Sequence, residues 1–373
     1  MYGVNDASVE ALGQAWLDED HGLPSWMSLT RGAGSWSRQT APAVDGTTFI
    51  ELGTAQNTPR FDYDPTSGRT MLLIEPTRTN QIPVANFLMS APPTDPPASW
   101  SNVGAGYTVT ANGPHGGAYL ALPEGIRGIY AAGTLVLAGG TLYQCSQWVK
   151  GTALPAGQEH FTLETDPGIA QITLPTGTFD WTRIIAPATT VGAAANDYYQ
   201  CTVAGPTGVR ATCLPQVEAG DCATSWIGSS AGALARAAEL CAIDPGVVGA
   251  NQGYVSFLWR PDYASTTALT VSPVLFQWAP NWELYFDPAD DKLKLTVDSA
   301  AGAESAALTF SRHGLMHVAV RYGTFGTRLY VDGVETTDPS AWGTPALAPY
   351  LGSRAASANC RPSGYADLLF GAT

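Results

Sequence analysis

From Trp100 to about Ile243, apolar positions come in short runs rich in Val, Thr, Tyr and Leu, each cut by Gly, Pro or Asn. In TLYQCSQWVK, Tyr143, Cys145 and Gln147 alternate with Gln144, Ser146 and Trp148, the period of two that sends successive side chains to opposite faces of a strand. HFTLETD, AQITLP, DWTRIIAPAT and DYYQCTVAG continue the texture. Turn signals between runs spaced roughly 8–12 residues apart predict a sandwich or barrel. The same texture returns from Tyr254 onward in YVSFLWRP, VLFQWA, WELYFDP, KLKLTVDS, MHVAVRYG and TRLYVDGVET. There Asp287-Pro288-Ala289-Asp290-Asp291 and Asp332-Gly333 fall where hairpin turns belong.

The first 90 residues read differently. Residues 8–20 carry the best helical pattern, with Ser8 as a cap and Leu12 and Trp16 on one face. A Gly/Ser/Thr-rich stretch follows to about Gly53, and in residues 59–80 the only regular feature is the apolar run Met71–Ile74, which predicts a buried strand. APPTDPPAS at 91–99 and GSSAGALARAA at 228–238 read as connectors. The expectation is an all-β chain: a mostly irregular N-terminal anchoring segment with one short helix (1–90), then two β-sandwich (jelly-roll) domains (91–243 and 244–373).

Composition supports this reading. Gly and Pro number 40 and 27, and only 13% of residues are charged against 45% apolar. That disfavours helical bundles, and so apolar a chain is not disordered. Acids outnumber bases 32 to 18, for a net charge of −14. The acids are spread evenly, with no basic stripe to neutralise phosphates, so neither nucleic acid nor an anionic membrane is an expected partner. No signal peptide or membrane span is evident. The six widely spaced Cys suggest small buried hydrophobes in a reducing cytosol, with no disulfide framework or zinc site.

Candidate chemistry is sparse. Gly228-Ser229-Ser230-Ala231-Gly232 matches GxSxG but lacks the strand and helix of a hydrolase elbow. His313 and His317 are four apart, yet Val318-Ala319-Val320 is β-like, which makes His317 a strand position. Asp287, Asp290 and Asp291 are close enough for a hard cation such as calcium, the one cofactor the sequence suggests. Glu159, Glu164 and Asp166 could supply a carboxylate pair for glycoside hydrolysis, although exposed strand-edge acids are the simpler account, and an enzyme is not expected. Trp278, Trp282, Tyr285 and Trp342 are the aromatic candidates for stacking on sugars, Trp278 and Trp282 because they flank Pro280. Core packing or subunit contact is the simpler account of Trp278 and Trp282, and Trp342, in the Pro/Gly-rich stretch PSAWGTP, is the other exposed candidate.

Pro59-Arg60-Phe61-Asp62-Tyr63-Asp64-Pro65, followed by Leu72-Leu73-Ile74-Glu75-Pro76-Thr77-Arg78-Thr79-Asn80, resembles the PRFDYDP…GLLIE..RTN signature of bacteriophage and prophage virion proteins of the tail-fibre, head-fibre and decoration kinds. Met71 stands where that family has Gly, and Leu29-Thr30-Arg31 falls at its F-T-R position. Tyr143–Lys150 is similar to its Y-x-x-S-x-x-V-K strand. Gln216-Val217-Glu218-Ala219-Gly220, Thr224-Ser225-Trp226-Ile227 and Ala235-Arg236-Ala237-Ala238 are similar to its QxExG…TSYIPT…TRAAD end. The resemblance implies a carbohydrate-binding-module-like sandwich in the middle. At the C-terminus, Met316–Val320, Leu329–Gly333, Leu351-Gly352 and Gly364–Asp367 resemble a concanavalin A-like or laminin-G-like jelly roll, with a short last strand.

The resemblance implies a virion structural protein assembled in the host cytoplasm. Arg60, Phe61, Asp62, Tyr63, Glu75, Arg78 and Asn80 would brace its anchoring segment. Other virion proteins and further copies of the chain, as in trimeric fibres, are the expected partners. The sandwiches would project to hold host-surface polysaccharide or, alternatively, bind other virion proteins as capsid or tail decoration. A polysaccharide depolymerase is a remote third reading.

Overall fold

The computed structural model describes residues 10–15, 22–31, 36–39, 50–53, 57–64, 67–82, 100–102, 108–110, 113–117, 119–122, 129–131, 135, 137–164, 169–192, 200–201, 208–227, 234–353 and 362–372. The described secondary structure is nearly all β, its one helical element being the 3-10 turn Pro245–Val247. Among the described residues no helix is long and apolar enough to cross a membrane. Residues 91–99 and the GxSxG stretch 228–232 lie outside the described residues. The chain divides into two compact units: Met1–Gly32, Gln56–Thr77 and Ala237–Thr373 form the first, and Ala33–Ala55 and Arg78–Arg236 the second.

Two antiparallel sheets make the first unit. One runs in the order Val334–Asp338, Gly326–Val331, Met316–Gly323, Gly253–Pro261, Ser363–Ala372, Arg69–Ile74, Phe61–Asp64. The other runs Met27–Arg31, Glu239–Ile243, Tyr350–Leu351, Val274–Ala279, Trp282–Asp287, Lys292–Val297, Ala300–Glu304. Alternate residues face inward: Val255, Phe257 and Trp259 on one sheet, Leu293, Leu295 and Val297 on the other. Rings of the two sheets meet in the middle, with Phe276 5.8 Å from Phe370, Trp278 5.6 Å from Tyr322 and Trp259 6.4 Å from Phe286. This is a sandwich core of aromatic pairs near edge-on or tilted.

Two expectations for the N-terminal region are corrected. Residues 10–15, placed in a helix by their local pattern, form a strand antiparallel to Leu368–Ala372, with Leu12 as the extra residue at a register shift. Edge pairing with a distant strand overrides a weak helical preference. Nor are residues 61–74 an irregular segment without a core. Phe61–Asp64 and Arg69–Ile74 form a hairpin, and Ile74, Leu73 and Leu72 pair with Ser363, Gly364 and Tyr365. Met71 through Ile74 are at most 1% exposed. The last strand, expected to be short, runs ten residues and lies inside the sheet: Gly253–Pro261 flanks it on one side, Arg69–Ile74 and residues 10–15 on the other.

The second unit is built on a sheet in the order Gly177–Ile185, Leu142–Leu154, Val209–Ala219, Tyr119–Leu122, Thr108–Thr110. Arg78–Asn80 joins the Ala219 end of its central strand and pairs in turn with Leu234–Arg236. The hairpin of Glu159–Glu164 and Ile169–Thr173 covers one face. Its Leu163, Ala170 and Ile172 share a buried cluster with Leu120, Cys145, Val149 and Val217 of the large sheet. Cys145, Cys213, Cys222 and Cys241 are buried and pack as small side chains in the two cores.

Candidate functional site

In the strand Met27–Arg31, Met27, Leu29 and Arg31 are inward; in Glu239–Ile243, Glu239, Cys241 and Ile243 are. Strict alternation therefore drives one Arg and one Glu into the core beside apolar neighbours. Arg60 and Glu75, each 0% exposed, complete the group from the two ends of the Phe61–Ile74 hairpin. Arg60 grips Glu239 with a two-pronged fork, Nε to Oε1 at 2.8 Å and Nη2 to Oε2 at 2.7 Å, and Nη2 also reaches Glu75 Oε2 at 2.5 Å. Arg31 Nη1 adds a bond to Glu239 Oε1 at 3.3 Å. The main chain closes the group: Glu75 N donates to Glu239 Oε2, and Glu239 N donates to the Glu75 carbonyl.

Among the described residues two cations face two anions in this interior cluster, the balance under which charges can be buried at all. Burial alone would lower the Arg60 pKa, but Glu239 and Glu75 outweigh it and hold the guanidinium charged beyond the ordinary arginine range. Burial, reinforced by the Glu239 charge, pushes the Cys241 thiol up to about 12, so it is no nucleophile.

A second buried group uses the same signature. Arg260, 0% exposed, donates to Asp62 at 2.9 Å and lies 3.4 Å from Asp262, which also faces His313 at 3.3 Å. Asp64, fully buried, accepts from Ser67 N at 3.0 Å and closes the turn between the two strands. Phe61, 4% exposed, is core opposite Leu72, and Tyr63, half-buried, pairs with Thr70.

In the second unit the rest of the signature is equally interior. Asn80 donates to Ile227 O at 2.8 Å and accepts from Ile82 N and Val217 N. Glu218 accepts from Thr224 N and Oγ1 and from Gln216 Nε2, while Gln216 accepts from Ile227 N. Arg236 donates to Ser225 Oγ at 2.7 Å. Gly220 has φ +136, and a Cβ there would come within 2.6 Å of the Arg78 guanidinium, so only glycine admits that side chain. The signature residues are thus framework: none forms an exposed site.

The aromatic candidates are corrected too. Trp278, Trp282 and Trp342 are 0%, 7% and 1% exposed. Trp342 lies 4.6 Å from Trp282, 5.3 Å from Trp278 and 4.3 Å from Tyr322, and its Nε1 donates to Ala250 O. Pro280 does not throw the flanking rings outward, because residues 280 and 281 form the tight turn between two paired strands. Tyr285 is half-buried in the second of them. None of the three tryptophans offers an open face for stacking on a sugar.

The acidic turn already holds a cation of its own. Lys294 Nζ lies 2.7 Å from Asp287 and 2.8 Å from Asp290, and these carboxylates raise its pKa. Asp287, Asp290 and Asp291 are not gathered into a ligand set, and no cluster of three or more His, Cys, Asp or Glu among the described residues could hold a metal. His317 is an exposed strand position bonded to Ser256 Oγ at 2.8 Å. Glu159 and Glu164 are the first and last residues of one strand. Asp166 lies outside the described residues.

Sequence reading missed Glu239, Arg260 and Asp262. The signal for Glu239 was present, since it directly follows Ala235-Arg236-Ala237-Ala238, where the resembled motif ends in an acid.

No family model and no curated protein matches the chain. Among solved structures, the N-terminal tandem CBM22-1–CBM22-2 domain of Paenibacillus barcinonensis Xyn10C aligns over 74% of this chain and 94% of its own, at 13% identity and a TM-score of 0.27. A likeness that slight carries no argument about ligand, and the all-β architecture rests on the sheets themselves.

Proposed function

We propose that the chain is a structural protein of a bacteriophage virion, displayed on the particle and partnered by other virion proteins and further copies of itself. One observation supports the reading. The residues by which the sequence resembles phage structural proteins, Arg60, Asp62, Glu75, Asn80, Glu218 and Arg236 among them, hold the interior polar networks of the two units. A motif made of interior ion pairs specifies architecture, so what it shares with such proteins is a framework, not a ligand site. The burial of the three tryptophans favours sandwiches that contact other virion proteins over sandwiches that stack on host sugars.

Antibodies against the protein should label purified particles of the phage that encodes it, at symmetric positions and fixed stoichiometry. Purified particles that lack the chain, with all of it left in the lysate, would overturn the proposal.

A further inference from the structure

In the second unit, the hairpin of Glu159–Glu164 and Ile169–Thr173 is a sheet of its own, and among the described residues its strands pair only with each other. Its inner side chains, Leu163, Ala170 and Ile172, with Leu174 just beyond, are at most 8% exposed. They lie in one buried cluster with Leu120, Val149 and Val217 of the large sheet. Polar ties to that sheet come from side chains. Arg210 Nη2 donates to Gln158 Oε1 at 3.2 Å, and the Gln147 side-chain amide meets His160 Nε2. His160 pairs with Ile172 across the hairpin and is 0% exposed, and its Nδ1 makes no hydrogen bond with any described residue. The hairpin thus rests on the sheet without a described backbone ladder, so it can open without breaking one.

The surroundings of His160 suit a neutral ring. With the Gln147 amide nitrogen donating to Nε2, a proton on Nε2 would set donor against donor. Turning the amide over would supply an acceptor, but the new cation would still stand beside Arg210. Among the described residues Arg210, 1% exposed, is the charged group that faces the ring from Val209–Ala219. Gln147 from Leu142–Leu154 and Ile172 from the opposite hairpin strand carry no charge. Burial and Arg210 accordingly hold the ring pKa at about 3, against an ordinary 6.5. We infer that the hairpin is an acid-released flap: one proton taken up by His160 lifts it off the large sheet while the rest of the second unit stays folded, uncovering the apolar face beneath Leu163 and Ile172. The proton binds the open form far better than the closed one, so acid shifts the population toward release. The inference goes beyond the virion reading and either can fail alone.

The test is native-state hydrogen exchange on the full chain with two reporters. The Leu174 amide, which donates to Gln158 O at 2.8 Å, reads the flap, and the Ala186 amide, which donates to Cys145 O at 2.9 Å, reads the large sheet. A two-stranded hairpin is marginal alone, so Leu174 exchanges once the flap lifts. Its protection should be at least about tenfold below that of Ala186 at every pH. Its protection factor should also fall about 30-fold from pH 7.5 to 5.0, the ratio imposed by a group with pKa 6.5 when open and about 3 when closed. His160→Gln should make the Leu174 protection independent of pH over that range. A second measurement needs no variant: the His160 ring resonance of the folded wild type should not titrate above pH 5. Leu174 as protected as Ala186, protection that does not change with pH, a pH dependence that survives His160→Gln, or a His160 ring that titrates near pH 6.5 would overturn the inference.

Discussion

Arg60→Met is expected to lower the stability of the first unit by about 3–5 kcal/mol, because it leaves Glu75 and Glu239 buried without their shared cation. For a unit of this size that corresponds to a fall in melting temperature of roughly 10 °C, read by calorimetry on the full chain. The loss comes from the stranded charges more than from missing contacts, since Met fills much of the arginine stem's volume. The double variant Arg60→Met with Glu75→Gln leaves Arg31 and Glu239 as a neutral pair, at 3.3 Å, and should therefore recover part of the loss. A double variant less stable than the single one would show that the bonds themselves, not charge balance, hold the hairpin.

The second large effect is a pH dependence. His160 is 0% exposed in the second unit, its ring against the Gln147 side-chain amide. Burial, helped by the nearby Arg210 charge, lowers its pKa to about 3 from an ordinary 6.5. Between those values the unfolded chain binds a proton that the folded unit does not. Stability from this group is therefore complete above pH 6.5 and falls as pH drops, by up to ~1.4 kcal/mol per pH unit. At pH 4.5 the second unit should be roughly 2–3 kcal/mol less stable than at pH 7.5. His160→Gln, which keeps a polar side chain and cannot titrate, should flatten that slope.

Asp262 acts in a different window. Burial would raise its pKa, but Arg260 and His313 outweigh burial and hold the carboxyl well below the usual range. Its contribution is present above pH ~4 and is lost only as pH falls below that, so it does not blur the His160 range. Melting curves of wild type and variant across pH 4.5–7.5 decide the matter: equal slopes would contradict the assignment.

Strands whose partners are near in sequence were legible. The hairpins Trp282–Asp287 with Lys292–Val297, and Gly326–Val331 with Val334–Asp338, follow from alternation and the turn residues at 287–291 and 332–333. Met71–Ile74 was legible as a buried strand, yet its sheet was not, because its partner Ser363–Tyr365 lies at the far end of the chain and no local pattern names it. The same distance hid the role of Arg60 and Glu75, whose common partner Glu239 is more than 160 residues away. The rings of Trp278 and Trp342 were misplaced for a related reason. Pro280 and the Pro/Gly-rich stretch around Trp342 read locally as exposed loops, and only the closure of that segment over the core buries the indoles.

That the phage-like signature is an interior brace of the C-terminal sandwich, and not a detached anchor, is tested most directly by native-state hydrogen exchange of the Leu73 amide. It donates to Arg60 O at 2.8 Å between two paired strands. Its exchange should be slowed to the same degree as that of Phe257 in the central strand of the same sheet, since both open only when the unit unfolds. Exchange of Leu73 at the rate of an unprotected peptide, while Phe257 stays protected, would contradict the account.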